Sequence, residues 1–242
     1  MKPSTAILSC LFFGGLGVFI AACTVIYVVH GEFLNAVVTL GGAVFCFGFL
    51  IPFFTIIPGK AAPRVNVDEG GTTFWPDRSV EMPLYIGLLG GVTACVVYTV
   101  FAPAGMVTVP IPHYMRYSLP FTSGVLILVG VPMLWRYFRR GSTKYLRLTP
   151  SGFELEESWR TASGEWGQVK NVTDESSEKK WSRSGPIVFV MSDDSTPTIA
   201  ANGMTPSGTA LRELVRFYWE HPESRDELTD GRAVERLARA MA

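Results

Sequence analysis

The feature that most restricts what this chain can become is a set of four long runs that carry no charge. Ile7 to Val29, Leu34 to Ile57, Pro83 to Ala102 and Leu119 to Trp135 contain no Asp, Glu, Lys, Arg or His. Crossing a hydrocarbon core takes ~20 apolar residues as a helix, and only the last run is slightly short. Lipid offers the backbone no hydrogen-bond partner, so such runs predict transmembrane helices. The link His30-Gly31-Glu32-Phe33 makes the first two a tight helical hairpin. Pro52 and Pro132 are read as lying near span ends, where a kink costs least.

Orientation follows from the basic residues between the runs. Lys60, Arg64 and Arg78 follow the second run, and Arg136, Arg139, Arg140, Lys144 and Arg147 follow the fourth. The first link has no Lys or Arg and the third only Arg116. Both termini and the middle segment are therefore expected on the cytoplasmic side of a plasma membrane. Lys2 with Ile20-Ala21-Ala22-Cys23 resembles a lipoprotein cleavage site, but Thr24 to Val29 stay apolar where a mature lipoprotein turns polar.

The spans lack the ionisable groups that proton relays, ion paths and voltage sensors need. Backbone-carbonyl ion sites and hydrophobic lipid paths survive that argument. Small residues recur instead: Gly14-Gly15-x-Gly17, Gly41-Gly42 and Gly87-x-x-Gly90-Gly91. Gly87, Gly91 and Cys95 form a small stripe at spacing four, which lets helix backbones approach closely. The stripe serves packing among the four spans, or docking against a partner's helices. Cys10, Cys23, Cys46 and Cys95 all fall in apolar runs without metal-ligand spacing and read as small buried hydrophobes.

Past Trp135 the chain changes character. Overall, 48% of residues are hydrophobic and 17% charged, yet most of the 21 Lys and Arg lie in this last part. From Thr143, Leu146 and Leu148, then Phe153 and Leu155, alternate with polar residues around Thr149-Pro150-Ser151-Gly152, a β-hairpin pattern. Arg64 to Phe74 echoes it, with an alternating strand, a glycine turn and a second alternation. Each copy follows a pair of spans. A two-strand hairpin is marginal alone, so Arg64 to Phe74 is expected to join or pack on the C-terminal sheet.

Trp166, Val169 and Val172 follow, then a charged loop from Thr173 to Ser184, an apolar strand Pro186 to Met191, a turn at Asp193-Asp194-Ser195, and Thr198 to Ala200. Leu211, Leu214, Val215 and Tyr218 mark one face of a helix from about Ser207 to Glu220. Pro222 stops it, and Val234, Leu237, Ala238 and Met241 suggest a last helix from about Asp230 to Ala240. The expected class is membrane α+β: four transmembrane helices followed by a small antiparallel β domain closed by a helix. The segments are 1–57 and 83–138 (helical hairpins), 58–82 (β-hairpin), 139–222 (β domain with helix) and 223–242 (C-terminal helix).

The strand, TPSGF turn, strand, W-x-x-V-x-x-V segment, apolar strand and final helix from Thr143 to about Pro222 resemble bacterial pleckstrin-homology-like (PH-like) domains that follow transmembrane pairs. Five or six strands are legible against that fold's seven, and Arg64 to Phe74 offers the missing ones. With the tail His221 to Leu228 and Gly231-Arg232-Ala233, the layout is similar to four-span actinobacterial accessory subunits of Mce-type lipid importers, the LucA and LucB group. That resemblance implies a non-catalytic assembly subunit and permease subunits as partners.

No chemistry-bearing constellation emerges from the residues. His30 and His113 are read as interfacial and His221 as a helix C-cap. Glu154, Glu156 and Glu157 read as a solvated strand face. No phosphate-binding glycine motif occurs outside the spans, and no cofactor, metal or catalytic residue is assigned. Zero net charge gives no reason to expect nucleic acid. Two basic clusters are candidates for anionic lipid headgroups: Arg136, Arg139, Arg140 and Lys144, and then Lys179, Lys180 and Arg183 around Trp181. A membrane-bound lipid-sensing module is the alternative function they motivate. Gly87, Gly91, Cys95, Gly41 and Gly42 are the candidate packing or partner positions.

Overall fold

The computed structural model describes residues 3–56, 60–109, 118–157, 159–174 and 185–241. They fall into two compact units, Lys2–Phe54 with Glu81–Gly141, and Thr55–Val80 with Ser142–Ala242.

The first unit is helical: α1 (Pro3–Val29), α2 (Phe33–Leu50), α4 (Arg78–Phe101) and α5 (Ser118–Arg140), with a short α3 (Phe53–Ile56) after α2. Among the described residues, four stretches are long and apolar enough to cross a membrane: Leu8–Val29, Phe33–Ile56, Arg78–Phe101 and Ser118–Arg140. Gly31 closes α1 in the left-handed region at φ 75°, and the Gly31 and Glu32 amides donate to the Val28 and Tyr27 carbonyls. Pro52 coincides with the break between α2 and α3 because it has no N–H to continue the ladder. Pro132 does not lie near a helix end: α5 continues to Arg140. Arg139 and Arg140 favour the negative end of the helix dipole, and Gly141 at φ 71° donates to Tyr137 O at 2.7 Å.

The second unit is built from two stretches of chain. Strands β1 (Arg64–Asp68) and β2 (Gly71–Trp75) precede α4, while β3 (Lys144–Leu148), β4 (Gly152–Glu157) and β5 (Arg160–Glu165) follow α5. All five join in one antiparallel sheet in the order β1-β2-β3-β4-β5. The early hairpin therefore adds to the later one, with Phe74 opposite Leu146 and Thr72 opposite Leu148. A second sheet holds β6 (Val169–Thr173), β7 (Pro186–Met191) and β8 (Thr198–Ala200). Among the described residues the second unit thus has eight strands: six after Thr143, where five or six were legible, and the two of the early hairpin.

The core lies between the two sheets and α6 (Thr209–Glu220). Phe153 of β4 stacks on Phe189 of β7 at 3.8 Å between ring centres. Trp166 donates from Nε1 to Thr149 O at 2.8 Å, locking the β3–β4 turn onto the start of the second sheet. Leu211, Leu214, Val215 and Tyr218 of α6 are buried, as the helical spacing predicts. The tail continues in α7 (Glu227–Asp230) and α8 (Arg232–Met241) and packs on its own domain through Leu228, Ala233 and Leu237. Ala238 is exposed rather than part of that face, because the buried stripe runs through Ala233 and Leu237, four residues apart.

One strand was not anticipated, and one expectation changes. The polar stretch Arg160 to Glu165 is a strand, held by pairing with β4 rather than by an apolar alternation of its own. The glutamates of β4 are not a uniformly solvated face. Glu156 is only 2% exposed, and Glu157 pairs with Lys144 at 3.4 Å. Tyr145 donates its hydroxyl to Glu154 at 2.5 Å. Glu156 points away from Phe153 and Leu155, so this sheet is covered on both faces at that position.

Candidate functional site

Within the helical unit the glycines make a seam between α2 and α4. A side chain begun at Gly41 would fall 2.4 Å from Gly90 O, and one at Gly48 would fall 2.4 Å from Gly87 Cα. From the other side, a Cβ on Gly87 would meet Gly48 Cα at 2.9 Å, and one on Gly91 would meet the Phe45 ring at 2.6 Å. Such distances leave the two backbones nearly in contact, the approach that small residues allow between helices in lipid. Gly130 of α5 comes similarly close to Val92 of α4.

The expected positions separate on inspection. Gly41, Gly87 and Gly91 belong to the α2–α4 seam, whereas Gly42 faces Ile20 of α1 at an ordinary 3.6 Å. Cys95 turns toward Ser123 of α5. A spacing of four advances 400° around a helix, so a stripe at that spacing drifts ~40° per step and ends on a different neighbour. Gly48, which the sequence reading missed, is as tightly packed as Gly87. Its signal was available: Gly41 and Gly48 are seven residues apart, as are Gly87 and Ala94, so each pair returns to one face.

Polar side chains are buried in the same unit. The Asn35 amide donates to Glu32 Oε2 at 2.5 Å and to Thr108 Oγ1 at 3.1 Å, and its Oδ1 accepts from the Thr108 amide at 2.9 Å. Thr24 donates to Thr39, which donates to Asn35 O, both at 2.9 Å. These groups satisfy one another across α1, α2 and the segment after α4, as polar groups in an apolar surround must. A search confined to ionisable residues passes over them.

Of the first basic cluster, Arg139 stacks over the Trp135 ring at 5.1 Å. Trp135 and Phe138 are 62% and 69% exposed, giving the end of α5 an aromatic and cationic face. Arg140 is exposed and Arg136 half-buried on the same turns. Lys144 lies in β3 and is engaged by Glu157. Lys179, Lys180, Trp181 and Arg183 lie outside the described residues, as does His113. His30 bonds to Ile26 O at 2.8 Å, and His221 to Glu223 at 3.0 Å beside the Phe217 ring.

The β domain carries one dense polar cluster. Tyr218 is fully buried and donates its hydroxyl to Glu227 at 3.0 Å. Arg236 grips both oxygens of Glu227, at 2.8 and 3.0 Å, and lies 3.9 Å over the Phe217 ring. The hydrogen bonds from Arg236 hold the Glu227 carboxyl below the ordinary glutamate range against the opposing effect of burial. Burial and the Glu227 carboxylate push the Tyr218 phenol well up. A neutral phenol and a paired carboxylate make a structural latch for α7 and α8 rather than an acid–base pair poised near neutrality. Among the described residues, no three His, Cys, Asp or Glu side chains are gathered as a metal site. Compared with known protein families, characterised proteins and solved structures, the chain matches none.

Proposed function

We propose that the protein is a non-catalytic integral membrane accessory subunit that holds a larger membrane complex together. In this reading the four apolar helices cross the plasma membrane, with both termini and the β domain in the cytoplasm. The observation that carries it is the discontinuous sheet. Because β2 pairs with β3, the β domain is joined covalently to the helices at the entry to β1, the exit from β2 and the entry to β3. A domain tied by three connections suits a fixed platform better than a swinging carrier. The helical unit supports the same reading, since its buried polar groups engage one another and the seam glycines Gly41, Gly48, Gly87 and Gly91 are packed against neighbouring helices.

The eight strands in two sheets with a following helix favour a PH-like module, and with it the resemblance to accessory subunits of lipid importers. The test is gentle detergent extraction of a tagged copy and mass spectrometry of what travels with it. Stoichiometric permease, ATPase or lipid-carrier subunits are the expected result. A chain that runs alone would overturn the accessory reading.

One observation favours a second reading, membrane lipid sensing: the exposed Trp135, Phe138, Arg139 and Arg140 at the end of α5. Full-length protein in nanodiscs should then retain anionic lipid, and Arg139→Ala with Arg140→Ala should reduce it. Equal retention by the double variant would rule that reading out.

A further inference from the structure

Strand order and register fix which end of the five-stranded sheet the connections to the helices enter and leave. The sheet is an antiparallel meander, so successive strands alternate in direction. The chain enters β1 at Arg64, leaves β2 at Trp75 and enters β3 at Lys144, and the pairing Arg64 to Trp75 shows that these belong to one end. The β1–β2 turn at Glu69 and Gly70 and the β3–β4 turn at Thr149 to Ser151 are at the opposite end. The β4–β5 connection then falls at the helix-linked end, because Glu157 is level with Lys144 and with Arg160. Among the described residues it is the one hairpin connection of this sheet at that end.

The connecting segments at this end are short. Four residue steps separate Arg140 from Lys144, at most ~14 Å of extended chain, and three separate Trp75 from Arg78, at most ~11 Å. Strand β5 lies two strand spacings from β3, ~10 Å to the side. The turn presents Trp159, 54% exposed, followed by an exposed Arg160. Arg78, Arg139 and Arg140, also exposed, belong to the helix ends that feed the same end of the sheet. An accessible tryptophan followed by a cation has the chemistry of the headgroup layer, where the indole ring is stable at the boundary and the cation meets phosphate.

We infer that the β4–β5 turn is a membrane-interface anchor: Trp159 inserts into the headgroup layer of the leaflet beside the β domain, with Arg160 against anionic lipid phosphates. This rests on the reading that the four helices cross a membrane. The turn then adds a non-covalent contact to the three covalent connections, on the side of the sheet away from β1.

The test places a bimane fluorophore on single cysteines in a background where Cys10, Cys23, Cys46 and Cys95 are alanine. The full chain is reconstituted in phosphatidylcholine–phosphatidylglycerol nanodiscs with a nitroxide on the headgroup or on the acyl chain. Trp159→Cys is the test position, Glu69→Cys reports the opposite end of the sheet, and Leu128→Cys reports α5. The expected result is loss of fluorescence to the headgroup nitroxide at position 159, none at 69, and loss to the acyl nitroxide at 128. Fluorescence at 159 as well preserved as at 69, with 128 quenched, would overturn the anchor alone. An unquenched 128 would remove the membrane-spanning reading and the anchor with it. Should the cysteine-free chain fail to fold, native tryptophan emission of the wild type and of Trp159→Phe replaces the fluorophore. The difference spectrum must then be quenched by headgroup nitroxide, and an unquenched difference spectrum overturns the anchor.

Discussion

Phe74→Ala tests the central finding, that residues before α4 complete a domain that resumes after α5. Phe74 is fully buried, opposite Leu146, in the core shared with Leu148 and Phe153. Truncating a fully buried phenylalanine costs about 3–5 kcal/mol, the sum of lost transfer energy and the cavity left behind. A domain of this size has about 5–15 kcal/mol in all, so the loss is a large share. At ~1.4 kcal/mol per decade, exchange of amides released only by whole-domain opening should quicken by about two to three and a half orders of magnitude. Hydrogen–deuterium exchange of the full chain in nanodiscs reads this directly. The peptides to watch are those covering β3–β4 and α6, far along the chain from the mutated residue. Asn66→Ala, on an exposed position of the edge strand β1, should change exchange by less than one decade. If Leu146 to Leu155 and Tyr218 keep wild-type protection in Phe74→Ala, the early hairpin is not part of that core and the discontinuous domain is wrong.

Two further outcomes follow from packing and charge. Gly48→Ala should lower the melting temperature of the detergent-solubilised protein, because overpacking costs about 1–3 kcal/mol, more than the ~1 kcal/mol that alanine gains in a helix. Gly15→Ala and Gly124→Ala have open space and should not lower it; differential scanning fluorimetry of the three would expose an error if they behaved alike. For Glu227 the folded state holds the carboxyl below its unfolded value, chiefly through Arg236. Its contribution to stability is therefore fully present above the ordinary glutamate range and is lost as pH falls through the depressed folded value. Glu227→Gln should flatten the acid side of the stability curve, measured by exchange of α8, and an unchanged acid limb would contradict the latch.

Much of this architecture was open to inspection in the residues. Charge-free runs are long and single-minded, so all four helices could be read, and period-two alternation gave β3, β4 and β7. The repetition of a turn-flanked alternation at Arg64 to Phe74 also exposed the hairpin that joins the sheet. What escaped depends on neighbours. Strand β5 has only Ala162 packing toward the core and takes its conformation from pairing with β4. Glu156 looks like a surface residue because sequence shows alternation on one strand, not what covers its second face. The candidate packing positions were legible as small residues, but which helix each one meets was not. That depends on the accumulated angle along the helix, which separated Cys95 from Gly87 and brought in Gly48.

The interrupted sheet also imposes an order on folding. Strands β1 and β2 emerge before α4, and a hairpin of two strands is marginal in water. Phe74 and Thr72 acquire their partners Leu146 and Leu148 only once α5 has been made and β3 follows it. If α4 and α5 cross a membrane, as proposed, that pairing requires both of them to cross, since a single crossing would leave β2 and β3 on opposite sides. On that reading, completion of the sheet reports correct insertion of the second helical pair. A chain ending at Gly141 should expose this dependence. It retains β1 and β2, yet lacks the strand that buries Phe74, and the carbonyl of Leu228 that accepts the Thr72 hydroxyl at 2.6 Å. In inverted vesicles trypsin should cut it at Arg64, whose Nε bonds to Pro76 O within the hairpin, while the full chain resists there. Equal resistance in the truncated chain would show that the hairpin folds by itself, and insertion and sheet formation would then be independent events.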